Sequence, residues 1–286
     1  MQKILVATDF SERSDRAIRR ATLLAKNFGG FLFLVHVVDD DQPRRLIKTK
    51  QQLAMDVLVE QSVSIREVDG VECDFIVALG DPFVGIRRVA EDVEADLIVI
   101  GPHRRQALKD IFVGTTAERT IRESQIPVLM ANGVPSGHYH HALLAVDLSD
   151  CSADAVSAVK RLGIDKKVVV SVVHVFDAPA SGMMRRASSN DQQIEDYTAD
   201  EEEYASVELK EFLERADFAP AEEILTPAEG SYANTICAVA QKRATDIIIV
   251  ATHGRRGVSE FFLGSVTEEV FRTTKHDVLA VPPRSA

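Results

Sequence analysis

Two stretches of this sequence hold residue types that could grip an anion. One is ATHGRRGVSEFFLGSVTEE, from Ala251 to Glu269; the other, GPHRRQALKDIFVGTTAER, runs from Gly101 to Arg119. In each, a loop leads to Gly-Ser or Gly-Thr at the start of a helical pattern. The first N–H groups of a helix have no partner inside it and lie at the positive end of its dipole, so they can hold phosphate oxygens. In the later stretch Gly254 carries no Cβ to obstruct a ligand, Gly264 and Ser265 open the helix, and the amides of Ser265, Val266 and Thr267 are the expected donors. Arg255 and Arg256 add positive charge, and His253 could touch a phosphate. A ligand-free alternative stands beside this. Ser265-x-x-Glu268 and Thr115-x-x-Glu118 both read as capping boxes, which start helices without any ligand.

The elements that must position these loops are written twice. KILVATDFSERSDRAIRRATLLA from Lys3 aligns with HALLAVDLSDCSADAVSAVKRLG from His141, and FLFLVHVVDD from Phe31 with VVVSVVHVFD from Val168. Asp9 and Asp147, like His36 and His174, are related by an offset of 138, whereas the later blocks, from Gly80 and Gly230, are offset by 150. The extra residues of the second copy therefore fall in or near SGMMRRASSNDQQIEDYTADEEE. Ile4 to Ala7, Phe31 to Val38, Asp74 to Val77, Leu97 to Ile100 and Val128 to Ala131 are short apolar runs without clean alternation, as in strands covered on both faces. Ser14 to Phe28 repeats apolar residues at helical spacing. Strand and helix alternate, which predicts a parallel sheet with right-handed crossovers. The fold class is thus α/β: two tandem open parallel five-stranded sheets with helices on both faces. Domain one is expected over 1–132 and domain two over 141–286, joined by ANGVPSGHYHH. In such sheets ligands bind beyond the carboxyl ends of the strands, where strand order reverses. That rule selects Asp147, Val175 and the glycine loop of the second copy.

Composition narrows the classes. The chain has 286 residues, 45% of them hydrophobic, and a net charge of −11. That charge argues against nucleic acid or an anionic membrane as partner. No run approaches the length of a membrane span, so membrane insertion is not expected and the cytoplasm is the expected location. Cys73, Cys151 and Cys237 form no CxxC pair and are expected to be plain thiols.

The chain resembles a tandem universal stress protein over nearly its whole length. The resemblance is carried by KILVATDFSE and LLAVDLSD, LVHVVD and VVHVFD, ADLIVIGPH and TDIIIVATHG, and the closing IPVLMA and HDVLAV. Nucleotide-binding members of that family carry Gly-x2-Gly-x9-Gly-Ser/Thr after the fourth strand. The second copy reads Ala251-x2-Gly254-x9-Gly264-Ser265, with one methyl group added, which costs little at negative φ. The first copy keeps Gly101, Gly114 and Thr115 but has Arg104 at the middle glycine, so its site reads as lapsed or altered; Asp9 and Val37 still match. The resemblance implies ATP, with Mg²⁺ an optional companion, in the carboxyl-terminal half: Asp147 near the ribose, the Val175 backbone at the adenine edge, and Gly254, Gly264, Ser265, Val266 and Thr267 around the triphosphate. It also implies pairing of the two halves through Val128–Leu129 and Val278–Val281. Pairing of two chains into a homodimer is a further expectation.

Other signals are set aside. His138 to His141 is a poor metal constellation, because neighbouring connector residues rarely converge on one ion. His36 and His174 read as satisfied core histidines, MRRASS as a solvated loop, and DEEEY (Asp200 to Tyr204) as a water-facing helix start. No Walker sequence and no GxSxG elbow is present, so no catalytic residue is assigned. Three readings remain: a stress-response protein regulated by an adenine nucleotide, an interaction protein of the same fold that binds none, and an enzyme acting on a nucleotide.

Overall fold

The computed structural model describes residues 2–102, 115–177, 191–228, 230–254 and 263–284, without the side chains of 191–196. Gly114, Arg104 and Arg255 lie outside the described residues, as does MRRASS.

The first copy runs β1 (Lys3–Ala7), α1 (Glu12–Phe28), β2 (Phe31–Val38), α2 (Arg44–Ser64), β3 (Cys73–Leu79), α3 (Pro82–Asp92), β4 (Leu97–Ile100), α4 (Thr116–Glu123) and β5 (Val128–Met130). The second runs β6 (His141–Val146), α5 (Asp150–Leu162), β7 (Val169–Phe176), α6 (Asp191–Arg215), β8 (Glu222–Pro227), α7 (Tyr232–Lys242), β9 (Ile247–Ala251), α8 (Ser265–Thr273) and β10 (Asp277–Val281). Strand order is β3-β2-β1-β4-β5-β10-β9-β6-β7-β8. Within each half all pairs are parallel, and order reverses between β1 and β4 and between β6 and β9. The two expected five-stranded sheets are therefore one ten-stranded sheet. They join where β5 and β10 pair antiparallel, Val128, Leu129 and Met130 facing Ala280, Leu279 and Val278. Each closing strand would otherwise end its sheet as an open edge, and pairing the two removes both edges.

One face of the sheet is packed by α1, α2, α5 and α6, the other by α3, α4, α7 and α8. Alternate strand residues serve the two cores: Ile4 and Val6 point to the first, Leu5 to the second. Burial on both faces explains why the strands lack clean alternation. The duplication extends to strained backbone. Phe10 and Leu148 have φ of 60° and 65°, Glu94 and Ala244 have 54° and 49°, at the offsets of 138 and 150. His36 and His174 each place Nδ1 against a carbonyl at the carboxyl end of the preceding strand, Thr8 just past β1 at 2.8 Å and Val146 at the end of β6 at 2.9 Å.

The connector between copies is pinned by a buried polar cluster. Arg20 of α1 and Asp277 of β10 form an ion pair at 2.8 Å, their side chains 8% and 1% exposed. Tyr139 donates its hydroxyl to Asp277 Oδ2, Gly133 N–H donates to Oδ1 at 2.7 Å, and Arg20 donates to the Gly137 carbonyl at 2.7 Å. The Arg20 guanidinium also lies 4.2 Å from the Tyr139 ring centroid. His138 and His140 are exposed, and among the described residues no cluster could hold a metal. The cysteines are free; Cys73 is buried and its thiol is pushed up to about 12 by that burial.

One expected boundary is corrected. Asp200 to Tyr204 do not start a helix: α6 begins at Asp191, so these residues lie two turns inside it. Glu201 is half-buried rather than water-facing.

Candidate functional site

A cavity of about 670 Å³ opens at the carboxyl edge of β6, β7 and β9, at the point where strand order reverses in the second half. Asp147, Val175, Ala251, His253, Gly254, Gly264, Ser265, Val266 and Thr267 all line it. The fold thus brings together every described site residue that the sequence places in the second copy.

Asp147 follows β6 and is held by a local turn. Its Oδ1 accepts from the Ser149 N–H at 3.1 Å, the Ser149 hydroxyl and the Ser152 hydroxyl at 2.7 Å, while Ser152 Oγ accepts the Asp147 N–H at 3.0 Å. The other oxygen, Oδ2, faces the glycine loop. A Cβ on Gly254 would sit 2.8 Å from it, so glycine is needed here to let the loop approach Asp147. Sequence reasoning had assigned that glycine to ligand clearance alone. Ala251 closes β9 without a positive φ, and its carbonyl accepts the Thr267 hydroxyl at 2.7 Å. This bond ties the start of α8 to the end of the strand.

The helix start differs from the capping box. Gly264 is the N-cap, with φ −56° and ψ 138°, and among the described residues no side chain caps the helix. Gly264 N–H donates to the Thr252 carbonyl at 2.8 Å. Ser265 is the first helical residue and is exposed, so its hydroxyl does not occupy the cap position. Ser265, Val266 and Thr267 at the start of α8 therefore line the cavity with no side-chain acceptor at the cap among the described residues, the arrangement an anion needs. His253 adds a second polar group. Its Nδ1 is 2.9 Å from Thr252 Oγ1, and its buried Nε2 has no hydrogen-bond partner among the described residues. Burial holds the imidazole below its ordinary pKa, favouring the neutral ring.

The equivalent place in the first half is built otherwise. Thr115 is the N-cap of α4 and accepts the Glu118 N–H at 3.1 Å. A side chain here does what Gly264 leaves undone. Asp9 accepts from Ser11 N–H at 3.0 Å and lies 3.7 Å from the Arg13 guanidinium. Burial pushes its carboxyl up, but hydrogen bonds from Ser11 and Ser14 and the Arg13 charge outweigh it and hold the pKa below the usual range. Gly101 abuts α1, where a Cβ would lie 2.7 Å from the Arg13 carbonyl oxygen. Val37 is half-buried, its methyl groups filling the space a Cβ on Gly85 would need. Position 117, an alanine, replaces Thr267 and so cannot make the bond to the strand end.

Sequence reasoning missed the wall opposite the glycine loop. Glu201, Tyr204 and Glu208 of α6 line the cavity, as do Asp177 after β7 and Tyr232 at the start of α7. Spacing of i, i+3 and i+7 puts the three α6 residues on one helix face. That spacing was readable, but the packing that turns the face toward the cavity was not. The described lining residues include four carboxylates, Asp147, Asp177, Glu201 and Glu208, and no Lys or Arg.

These features define a tandem Rossmann-like α/β protein with a ligand-sized cavity at the switch point of its second half. The universal stress protein family model matches residues 1–132 and again 138–282. The chain belongs to the universal stress protein family, as a tandem member. It is 23% identical to a universal stress protein of Mycolicibacterium smegmatis, over 98% of this chain and 97% of that one. It is 24% identical to universal stress protein E of Salmonella typhi, over 99% and 94%. A crystal structure of a universal stress protein from Archaeoglobus fulgidus superposes with a TM-score of 0.69 at 21% identity, over 98% of each chain, and shares the fold. Among the described residues no helix is long and apolar enough to cross a membrane.

Proposed function

We propose that this stress-response protein binds ATP, or a related adenine nucleotide, in its second half and uses occupancy as a regulatory state. The observation that carries the reading is the start of α8: a glycine cap, leading amides with no side-chain acceptor at the cap among the described residues, and a cavity beside them that also holds Asp147 and a His253 Nε2 without a hydrogen-bond partner among those residues. Phosphate oxygens meet the amides of Ser265, Val266 and Thr267, with Gly254 letting the chain pass close to Asp147, which accepts from ribose hydroxyls. Four carboxylates near a polyanion call for a countercharge, which Mg²⁺ on the phosphates, the optional companion of the nucleotide, would supply. In the first half, Thr115 caps its own helix and Arg13 pairs with Asp9, so that half does not hold the same ligand. We place the two domains at 1–132 and 141–286 and the protein in the cytoplasm.

The acidic lining favours one rival, an interaction protein of the same fold that takes no nucleotide. Denaturing the purified full-length chain and assaying the supernatant by ultraviolet absorbance and mass separates them. The proposal expects released adenine nucleotide, or, from empty protein, a rise in melting temperature with millimolar ATP and Mg²⁺. Empty protein with no shift favours the rival.

A further inference from the structure

The cavity has two unlike ends. β9, whose loop leads to α8, lies beside β6, and β7 and β8 follow outward. With neighbouring strands about 4.8 Å apart, the start of α8 is roughly 10–14 Å from the strands on which α6 packs. Those strands are β7 and β8. A nucleotide whose phosphates sit at α8 therefore directs its base along the strand ends and under α6. The wall there is apolar at its floor, from Val173 and Val175, and carries an aromatic and acidic pair on top. Tyr204 is 64% exposed, although it borders the cavity, and the Glu208 carboxylate, one turn further on in the same lining, raises the pKa of its hydroxyl. Glu208 is half-buried. Tyr232 reaches the same cavity from the opposite face of the sheet. An exposed aromatic at a cavity mouth, braced by a carboxylate, has no packing role in the core.

We propose that α6 is the specificity wall of this cavity: the Glu208 carboxylate, oriented by the Tyr204 hydroxyl, accepts a hydrogen bond from the exocyclic amine of an adenine, and the Tyr204 ring covers the base. The inference rests on the reading that phosphates dock at α8. Its chemistry is one-sided. A carboxylate only accepts, so it attracts the amine of adenine and repels the carbonyl oxygen that guanine presents at the equivalent position. One hydroxyl donor leaves acceptor sites on the carboxylate for the amine. Tyr204 is thus a positioning residue through its hydroxyl and a contact residue through its ring. The half-one counterparts, by alignment of buried Ala205 and Leu209 with Ala54 and Leu58, are Leu53 and Val57, which have neither group.

The test is isothermal titration of the full-length protein with Mg·ATP and Mg·GTP, for wild type, Glu208→Gln, Tyr204→Phe and Tyr204→Ala, with a urea midpoint for each. Wild type should prefer ATP. Glu208→Gln, whose amide can turn either a donor or an acceptor outward, should lower the ATP-to-GTP ratio about tenfold. Tyr204→Phe should lower that ratio while keeping most of the ATP affinity. Tyr204→Ala should weaken both nucleotides about tenfold by loss of stacking. ATP binding with an unchanged ratio in Glu208→Gln overturns the specificity wall alone. A wild-type protein that binds neither nucleotide overturns the phosphate-end reading, and this inference with it.

Discussion

Gly254→Ala is the substitution whose effect can be worked out most fully. The new methyl would lie 2.8 Å from Asp147 Oδ2, against ordinary contacts of 3.4 Å or more. Something must therefore move by about 0.6 Å, well inside the repulsive wall of the contact. Asp147 cannot yield easily, because its other oxygen is held by Ser149 and Ser152 through three hydrogen bonds. The loop moves instead, carrying His253 and the approach to α8 away from Asp147. Overpacking of this kind costs about 1–3 kcal/mol. If that strain is relieved at the expense of the ligand geometry, the dissociation constant for Mg·ATP rises about 5- to 150-fold. Titration calorimetry on wild type and variant measures it, with circular dichroism and a urea melt to show that the fold survives. Asp147→Ala provides an internal control. In that background the methyl has no carboxylate to meet, so adding Gly254→Ala should change little, a strongly non-additive cycle. A dissociation constant within twofold of wild type for Gly254→Ala, or additivity in the cycle, would refute the close approach of loop and carboxylate as the basis of binding.

Gly264→Val should abolish measurable nucleotide binding, because its Cβ would lie 3.2 Å from the Thr252 carbonyl and its methyl groups would crowd the leading amides of α8; calorimetry checks this, and full affinity in a folded variant would misplace the anion site. Asp277→Ala strands the buried Arg20 charge together with the Tyr139 hydroxyl and the Gly133 N–H, and should cost about 3–5 kcal/mol in urea unfolding, with a loss under ~1 kcal/mol contradicting the cluster as the clamp between halves. Burial lowers the pKa of both His253 and His276 in the folded state. The unfolded chain therefore takes up more protons as pH drops below about 6.5, and stability should fall between pH 7 and 5, a slope that His253→Gln with His276→Gln should flatten in melts across that range.

Much of the fold was legible in the chain because the same unit is written twice. The apolar runs at Ile4, Phe31 and Leu97 read as covered strands, and Asp9 and Asp147 marked the turn that follows each first strand. The seam at Val128–Leu129 and Val278–Val281 was legible only through the family resemblance, and the antiparallel pairing of β5 with β10 bears it out. The clamp across that seam was not legible. Arg20 and Asp277 are 257 positions apart, and nothing local in either stretch announces an ion pair. In the candidate site, the spacing of Gly254, Gly264 and Ser265 marked the loop, since backbone approach restricts residue type at fixed intervals. The ligand-free alternative at the helix start is not what forms: a serine followed by glutamate at the right interval satisfies the capping pattern, yet Gly264, not Ser265, is the N-cap. Tyr204 read as part of a water-facing helix start and Glu208 carried no signal, because α6 is polar around most of its circumference. Only packing of Ala205, Leu209 and Phe212 into the core decides which face looks over the cavity.

A crystal structure of the full-length protein grown with Mg·ATP tests the central claim most directly. The account predicts triphosphate density against the amides of Ser265, Val266 and Thr267, with Asp147 within hydrogen-bond distance of the ribose. Nucleotide seated elsewhere, or a saturating soak that leaves this cavity filled only by solvent, would contradict it.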